Sequence, residues 1–219
     1  MSVDARGALN ARQAAAKRLL DVLVAGAGLV ATSPLLLVGW AAATVETRQN
    51  GLFRQVRIGR DGVPFEVMKL RSMRSVDGVD TTVTTRHDVR ITRSGAWLRR
   101  FKIDELPQLV NVLRGEMSLV GPRPDVPGFA DALLGADRVI LTVRPGITGP
   151  AAIAYRHEEA ILAHVADPER YNREVIWPDK VRINREYVEQ YSLRSDLTWL
   201  IRTLRSVSEQ DLPTGRSQR

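Results

Sequence analysis

Cysteine is absent from the chain. That excludes disulfides, Cys-ligated zinc and thiol nucleophiles, although it does not fix the compartment. Histidine is nearly absent too: His87, His157 and His164 are the only three, and none shows HExxH-type spacing. Isolated surface or structural histidines are therefore expected rather than a His-based metal site. Aromatic residues make up only 5% of the sequence, with no aromatic-rich RNA-reading motif and no zinc-finger spacing. Nucleic acid is thus not the expected partner. What the chain has in surplus is positive charge, 32 Lys+Arg against 25 Asp+Glu, a net +7. A surplus of that size favours an anionic partner, such as a membrane surface or a phosphorylated substrate.

Composition divides the chain into a basic N-terminal segment (1–18), an apolar run (19–45), a main domain (46–207) and a polar tail (208–219). The apolar run, LLDVLVAGAGLVATSPLLLVGWAAATV, carries one charge, Asp21. As one helix it would extend roughly 40 Å, enough for a ~30 Å hydrocarbon core. Ser33-Pro34 interrupts its middle, and proline removes one backbone hydrogen bond there. Basic residues flank both ends: Arg12, Lys17 and Arg18 before it, Arg48, Arg54, Arg57 and Arg60 after it. That pattern favours keeping both flanks in the cytoplasm. Composition alone leaves two readings open, a re-entrant helix broken at Ser33-Pro34 and an ordinary span with a proline kink. Near the C-terminus, Leu197, Leu200, Ile201, Leu204 and Val207 recur at helical spacing, flanked by Arg194, Arg202 and Arg205. They suit an inward-packing domain helix or an interfacial one.

Chemistry concentrates between Trp97 and Pro124, WLRRFKIDELPQLVNVLRGEMSLVGPRP. Leu106, Leu109, Val110 and Leu113 share a helical face, with Gly115 as the stop. Asp104 is expected at the helix N-cap and Pro107 inside the first turn. There Asp104 could serve as a nucleophile towards phosphorus, with Glu105 as metal ligand or proton acceptor and Arg99, Arg100 and Lys102 as diphosphate-binding charge. Taken alone, an Asp-Glu pair at a helix start is most often a solvated cap. Two turns each fix an arginine among prolines and glycines, Val120–Pro124 around Arg123 and Val143–Gly149 around Arg144. Their glycines would let backbone N–H groups approach an anion, though either turn alone reads as structural. Phe65–Met73 reads as a strand exit carrying Lys69 and Arg71.

The order of these pieces resembles the bacterial sugar transferase family, the monotopic phosphoglycosyl transferases. The resemblance runs from about Lys17 to Leu204 through KRLLDVLVA…SPLLL, LFRQVRIGRDGVPFEVMKLRSM, LRRFKIDELPQLVNVLRGEMSLVGPRPDVP, VRPGITGPA and YVEQYSLRSDLTWLIRT. It implies an α+β fold: a re-entrant membrane helix broken at Ser33-Pro34, carrying a small helix-rich domain with few strands on the cytoplasmic face of a bacterial inner membrane. It further implies that Asp104 attacks the β-phosphorus of a UDP-sugar, that UMP leaves, and that polyprenyl phosphate then attacks the aspartyl intermediate. Glu105 matches the dyad's second carboxylate, and Mg²⁺ at Asp104 and Glu105 is the implied cofactor. Arg99 and Arg123 match phosphate-binding arginines; Lys69 and Arg71 match the basic pair before Ser-Met. Two departures stand out: Gln49-Asn50-Gly51 where many relatives have Gly-Pro, and Pro150-Ala151-Ala152 where many have Trp-Ala-Gln. The competing expectation is a non-catalytic membrane scaffold of the same fold, which the intact Asp104, Glu105, Arg99 and Arg123 oppose. Donor sugar, glycan pathway and oligomeric state stay open.

Overall fold

A computed structural model describes residues 9–76 and 88–209; His87 lies outside them, as does the side chain of Val207. The apolar run lies within one helix, α1 (Ala11–Thr47), 37 residues long and so about 55 Å. Asn10 and Gln13 close its N-terminus as a reciprocal capping box, which satisfies two of the orphan donors of the first turn. Ser33-Pro34 does not divide it into two helices as expected; Pro34 sits inside a continuous helical run. The reason is local. Pro34 cannot donate to the Val30 carbonyl, and Ser33 Oγ donates to that carbonyl instead at 2.9 Å. Thr32 Oγ1 likewise donates to the Gly28 carbonyl at 2.7 Å.

One face of α1 docks along the domain for most of its length. Near the start, Lys17 Nζ donates to Asp196 (2.5 Å) and to the Val120 carbonyl (2.9 Å), and Asp21 accepts from the Leu119 N–H (3.0 Å). Arg18 reaches the Val112 and Leu113 carbonyls. In the middle and beyond, Ala25, Gly39 and Ala43 are buried, and their small size lets the helix approach closely. A Cβ on Gly39 would stand 2.7 Å from Leu70. At the far end the Glu46 carboxylate accepts from the N–H groups of Arg93 and Ser94, both at 2.8 Å. The remaining surface of α1 exposes Leu19, Leu23, Val30, Leu37, Val38 and Val45.

The rest is an α+β arrangement of short helices around two small sheets. Strands β1 (Leu52–Ile58) and β2 (Pro64–Leu70) form an antiparallel hairpin, pairing Leu52 with Leu70 and Ile58 with Pro64. Asp61 and Gly62, at φ 58° and 80°, turn the chain between them. Helix α2 (Arg93–Arg100) is followed by a 3₁₀ turn (Ile103–Glu105) and then α3 (Gln108–Arg114). Strands β3 (Ser118–Val120) and β4 (Gly146–Thr148) run parallel. The short helices α4 (Pro150–Ala154), α5 (Glu158–Leu162) and α6 (Pro168–Tyr171) precede α7 (Trp177–Glu189) and α8 (Leu193–Glu209). Val67, Val112, Met117, Val120, Val181 and Val188 form the centre of the core.

Helix α8 resolves the C-terminal stripe into two faces. Trp199 and Leu200 pack on the core, while Leu197, Ile201 and Leu204 are exposed. Asp196 anchors its start, accepting from Tyr187 Oη at 2.7 Å in addition to Lys17. Asn50 and Gly51, the first departure, close the turn after α1. Asn50 Oδ1 accepts from Trp40 Nε1 and from the Leu52 N–H, and a Cβ on Gly51 would stand 2.2 Å from the Trp40 carbonyl oxygen.

Candidate active site

Asp104 is not the N-cap that the sequence suggests. Pro107 has no N–H to give the Ile103 carbonyl, so the segment tightens into i→i+3 bonds: Leu106 to Ile103 (3.2 Å) and Val110 to Pro107 (3.0 Å). Lys102, at φ 56°, reverses the chain just before. Asp104 thus sits inside a 3₁₀ turn, and its carboxylate caps nothing. The residue is 5% exposed, and Oδ1 is buried without a hydrogen-bond partner.

Glu105 beside it is the opposite case. The Arg123 guanidinium grips it as a fork, Nη2 on Oε1 and Nη1 on Oε2 at 3.2 Å, and Lys69 Nζ reaches Oε1 at 3.2 Å. Prolines on both sides of Arg123 fix its backbone, as expected, and β2 delivers Lys69. Asn111 registers the two parts. It is 0% exposed, accepts from the Met68 N–H (3.0 Å) and donates to the Glu66 carbonyl (2.7 Å), which ties α3 to β2.

These environments push the two carboxyls apart. Burial and the adjacent Glu105 raise the Asp104 carboxyl against the pull of Lys69, Arg99 and Lys102. Burial would raise Glu105 as well, but Arg123 and Lys69 together hold it well below the ordinary carboxylate range. A carboxylate so clamped is a poor proton acceptor. Glu105 therefore fits the role of a fixed negative charge that positions cations better than that of a base. Burial lowers Lys69, whereas the partner Glu105 raises Arg123 against the opposing effect of burial.

The other expected phosphate-binding residues separate. Arg99 acts on Asp104 electrostatically, and its guanidinium is paired with Glu159 of α5. Arg71 points elsewhere: Nε donates to the Asn50 carbonyl at 2.8 Å and the guanidinium lies over Phe53. Arg144 donates to the Gly115 carbonyl at 2.7 Å, beside Arg18 and Arg60. The glycines of the two proline turns serve each other rather than an anion. The Gly121 N–H donates to the Thr148 carbonyl and the Gly146 N–H to that of Pro122, and a Cβ on Gly146 would stand 2.1 Å from Gly121 N. Of the histidines, His157 and His164 are exposed.

Three features escaped the sequence reading. Arg57 lies in the field of Arg123 and Glu105, and its place on a strand edge gave only a weak signal. Gln108 is 2% exposed with Nε2 unpartnered; a buried amide one turn after Asp104 was the available clue. Asp125, directly after Pro124, faces Lys180, Arg57 and Arg123.

As for a metal, no group of three His, Cys, Asp or Glu gathers among the described residues. Magnesium, however, is usually held by one or two carboxylates completed by substrate phosphate oxygens and water. The orphaned Oδ1 of Asp104 fits such a ligand. Glu105 fits only by sharing Oε2 with Arg123.

Residues 12–210 match the family described as Bacterial sugar transferase. A UDP-glucose:undecaprenyl-phosphate glucose-1-phosphate transferase of Caulobacter vibrioides is 38% identical over 89% of this chain and 70% of its own length. A Klebsiella pneumoniae protein of the same name is 42% identical over 66% of this chain, which spans about a third (32%) of that relative. The exopolysaccharide production protein ExoY of Rhizobium meliloti is 32% identical over 92% of this chain and 89% of its own length. The chain belongs to the bacterial sugar transferase family and is, by that membership, an enzyme of the phosphoglycosyl transferase kind.

Proposed function

We propose that this enzyme transfers a sugar 1-phosphate from a UDP-sugar to a polyprenyl phosphate such as undecaprenyl phosphate, at the cytoplasmic face of a bacterial inner membrane. The observation that carries this reading is the pair of unlike carboxylates: Asp104 with a free, buried oxygen, and Glu105 locked by Arg123 and Lys69. A carboxylate oxygen of Asp104 attacks the β-phosphorus, the bond from that phosphorus to the bridging oxygen breaks, and UMP leaves with the electron pair. An oxygen of the lipid phosphate then attacks the same phosphorus and releases the Asp104 carboxylate, giving a polyprenyl diphosphate sugar. Splitting the exchange into two displacements suits two poorly electrophilic phosphates. Arg99, Arg123 and Lys69 neutralise the diphosphate, and the clamp on Glu105 keeps the two cations in place. Magnesium, held by Asp104 and the substrate oxygens, would add further charge neutralisation when bound.

The lipid acceptor needs a site at the membrane surface. Exposed apolar side chains on α1, and Leu197, Ile201 and Leu204 on α8, supply an embedding surface, and α1 is long and apolar enough to cross a membrane. Both ends of α1, at Lys17 and at Glu46, dock on the same domain, which supports re-entry with both ends on one side. Screening UDP-sugars for UMP release with undecaprenyl phosphate tests the reaction. At least one donor should release UMP and yield a lipid-linked sugar diphosphate. Release of free sugar phosphate in place of lipid product, or no release from any donor, would exclude it.

A further inference from the structure

Asp125 is an acid beside this site that the proposed reaction does not use. Its backbone is fixed by the Ile58 N–H, which donates to its carbonyl at 2.9 Å. Its side chain is a different matter. Three cations face it, Lys180, Arg57 and Arg123, together with the like charge of Glu158. Each cation is committed elsewhere. Lys180 donates to Glu158 at 2.6 Å, Arg57 to the Pro124 carbonyl at 3.3 Å and Gln55 at 2.7 Å, and Arg123 holds Glu105. Among the described residues none donates a hydrogen bond to the Asp125 carboxylate. The residue is nevertheless half-buried rather than sealed, which leaves it open to a ligand. Burial pushes its carboxyl up to about 6 against the pull of those cations.

A carboxylate in this state accepts hydrogen bonds and offers none. The missing partner is therefore a donor, and the donor groups that a nucleotide sugar brings next to its phosphates are hydroxyls. Asp125 is two residues beyond Arg123, whose fork holds the neighbour of the attacking Asp104. The β-phosphate lies at that end of the nucleotide, and the sugar is attached directly to it, whereas the ribose is one phosphate further away. Resting on the transfer reaction above, we propose that Asp125 is a specificity-determining residue that accepts a hydrogen bond from a hydroxyl of the transferred sugar. Cations already held by Glu105, Glu158 and Gln55 cannot collapse onto it, so the carboxylate stays available for the substrate.

The test compares wild type with Asp125→Ala and Asp125→Asn on the best UDP-hexose and on its 2-, 3-, 4- and 6-deoxy analogues. It reads UMP release with undecaprenyl phosphate, and inhibition by UDP. In wild type, loss of one particular hydroxyl should lower kcat/KM about tenfold or more. In Asp125→Ala the same loss should cost nothing, with UDP inhibition unchanged. The Asn variant, which keeps the volume, should also change the ratio and serves if the Ala variant misfolds. Wild-type deoxy ratios retained in the variants would overturn the inference while leaving the reaction standing. A parallel loss of UDP inhibition would also overturn it, placing Asp125 at the nucleotide. A wild type that uses no UDP-sugar would overturn the reaction itself, and this inference with it.

Discussion

Asp104 is placed where ionisation is costly. Its folded-state carboxyl is raised, chiefly by burial and by Glu105. A raised acid favours the fold below the unfolded value, and that contribution is lost as pH rises through the folded value. Once ionised, Asp104 therefore opposes folding, and Asp104→Asn should melt no lower than wild type in a thermal scan in detergent. The same variant should lose at least about 10³-fold in turnover. For wild type, the acid limb of kcat/KM should lie above the ordinary aspartate range, because the proposed nucleophile is the carboxylate; a limb at or below the ordinary aspartate value of 3.8 would exclude Asp104 as the group titrating. Arg123→Met should act differently, lowering turnover about 10²-fold or more and also lowering the melting temperature, since Glu105 keeps its burial and loses its fork. Lys69 and Arg123 were legible in the sequence, one at a strand exit and one between prolines. Arg71 and Arg144 looked equivalent there. Only the fold shows that their guanidinium groups hold the carbonyls of Asn50 and Gly115.

At the scale of elements, α1 is held by one buried charge cluster at its start. Lys17 and Asp196 are both nearly inaccessible, and Tyr187 completes the cluster. Lys17→Met should leave Asp196 charged and underpaired, a loss of about 3–5 kcal/mol. Lys17→Met combined with Asp196→Leu should recover part of that loss, as read by denaturant or thermal unfolding. No recovery in the double variant would show that the two side chains act separately. The sequence made the apolar stretch of α1 and the stop of α3 at Gly115 legible, because apolar length and a glycine in the left-handed region (φ 83°) are local signals, but not that α1 starts as early as Ala11. It misplaced the start of α3. The capping pattern favoured Asp104, whereas the missing N–H of Pro107 tightens the preceding turn. The pairing of Gly121 with Gly146 was hidden for another reason: their close approach joins residues 25 positions apart, and each glycine alone looked like an anion loop.

For the whole molecule, topology is decided by where the two ends of α1 lie. The absence of cysteine makes Ser2→Cys and Gln49→Cys unique thiols. With both ends cytoplasmic, neither should react with an impermeant maleimide in intact cells, and both should react after permeabilisation. Labelling of the Ser2→Cys thiol in intact cells would show a spanning helix. The proposed chemistry has its own direct readout, the covalent aspartyl intermediate that it requires. Purified wild type, given UDP-sugar labelled at the β-phosphate and no lipid acceptor, should release UMP up to about one equivalent and retain the label. Mass spectrometry should then find one sugar phosphate on the peptide containing Asp104, and addition of undecaprenyl phosphate should remove it. Retention of no label, with UMP release strictly dependent on the lipid, would contradict covalent catalysis by Asp104.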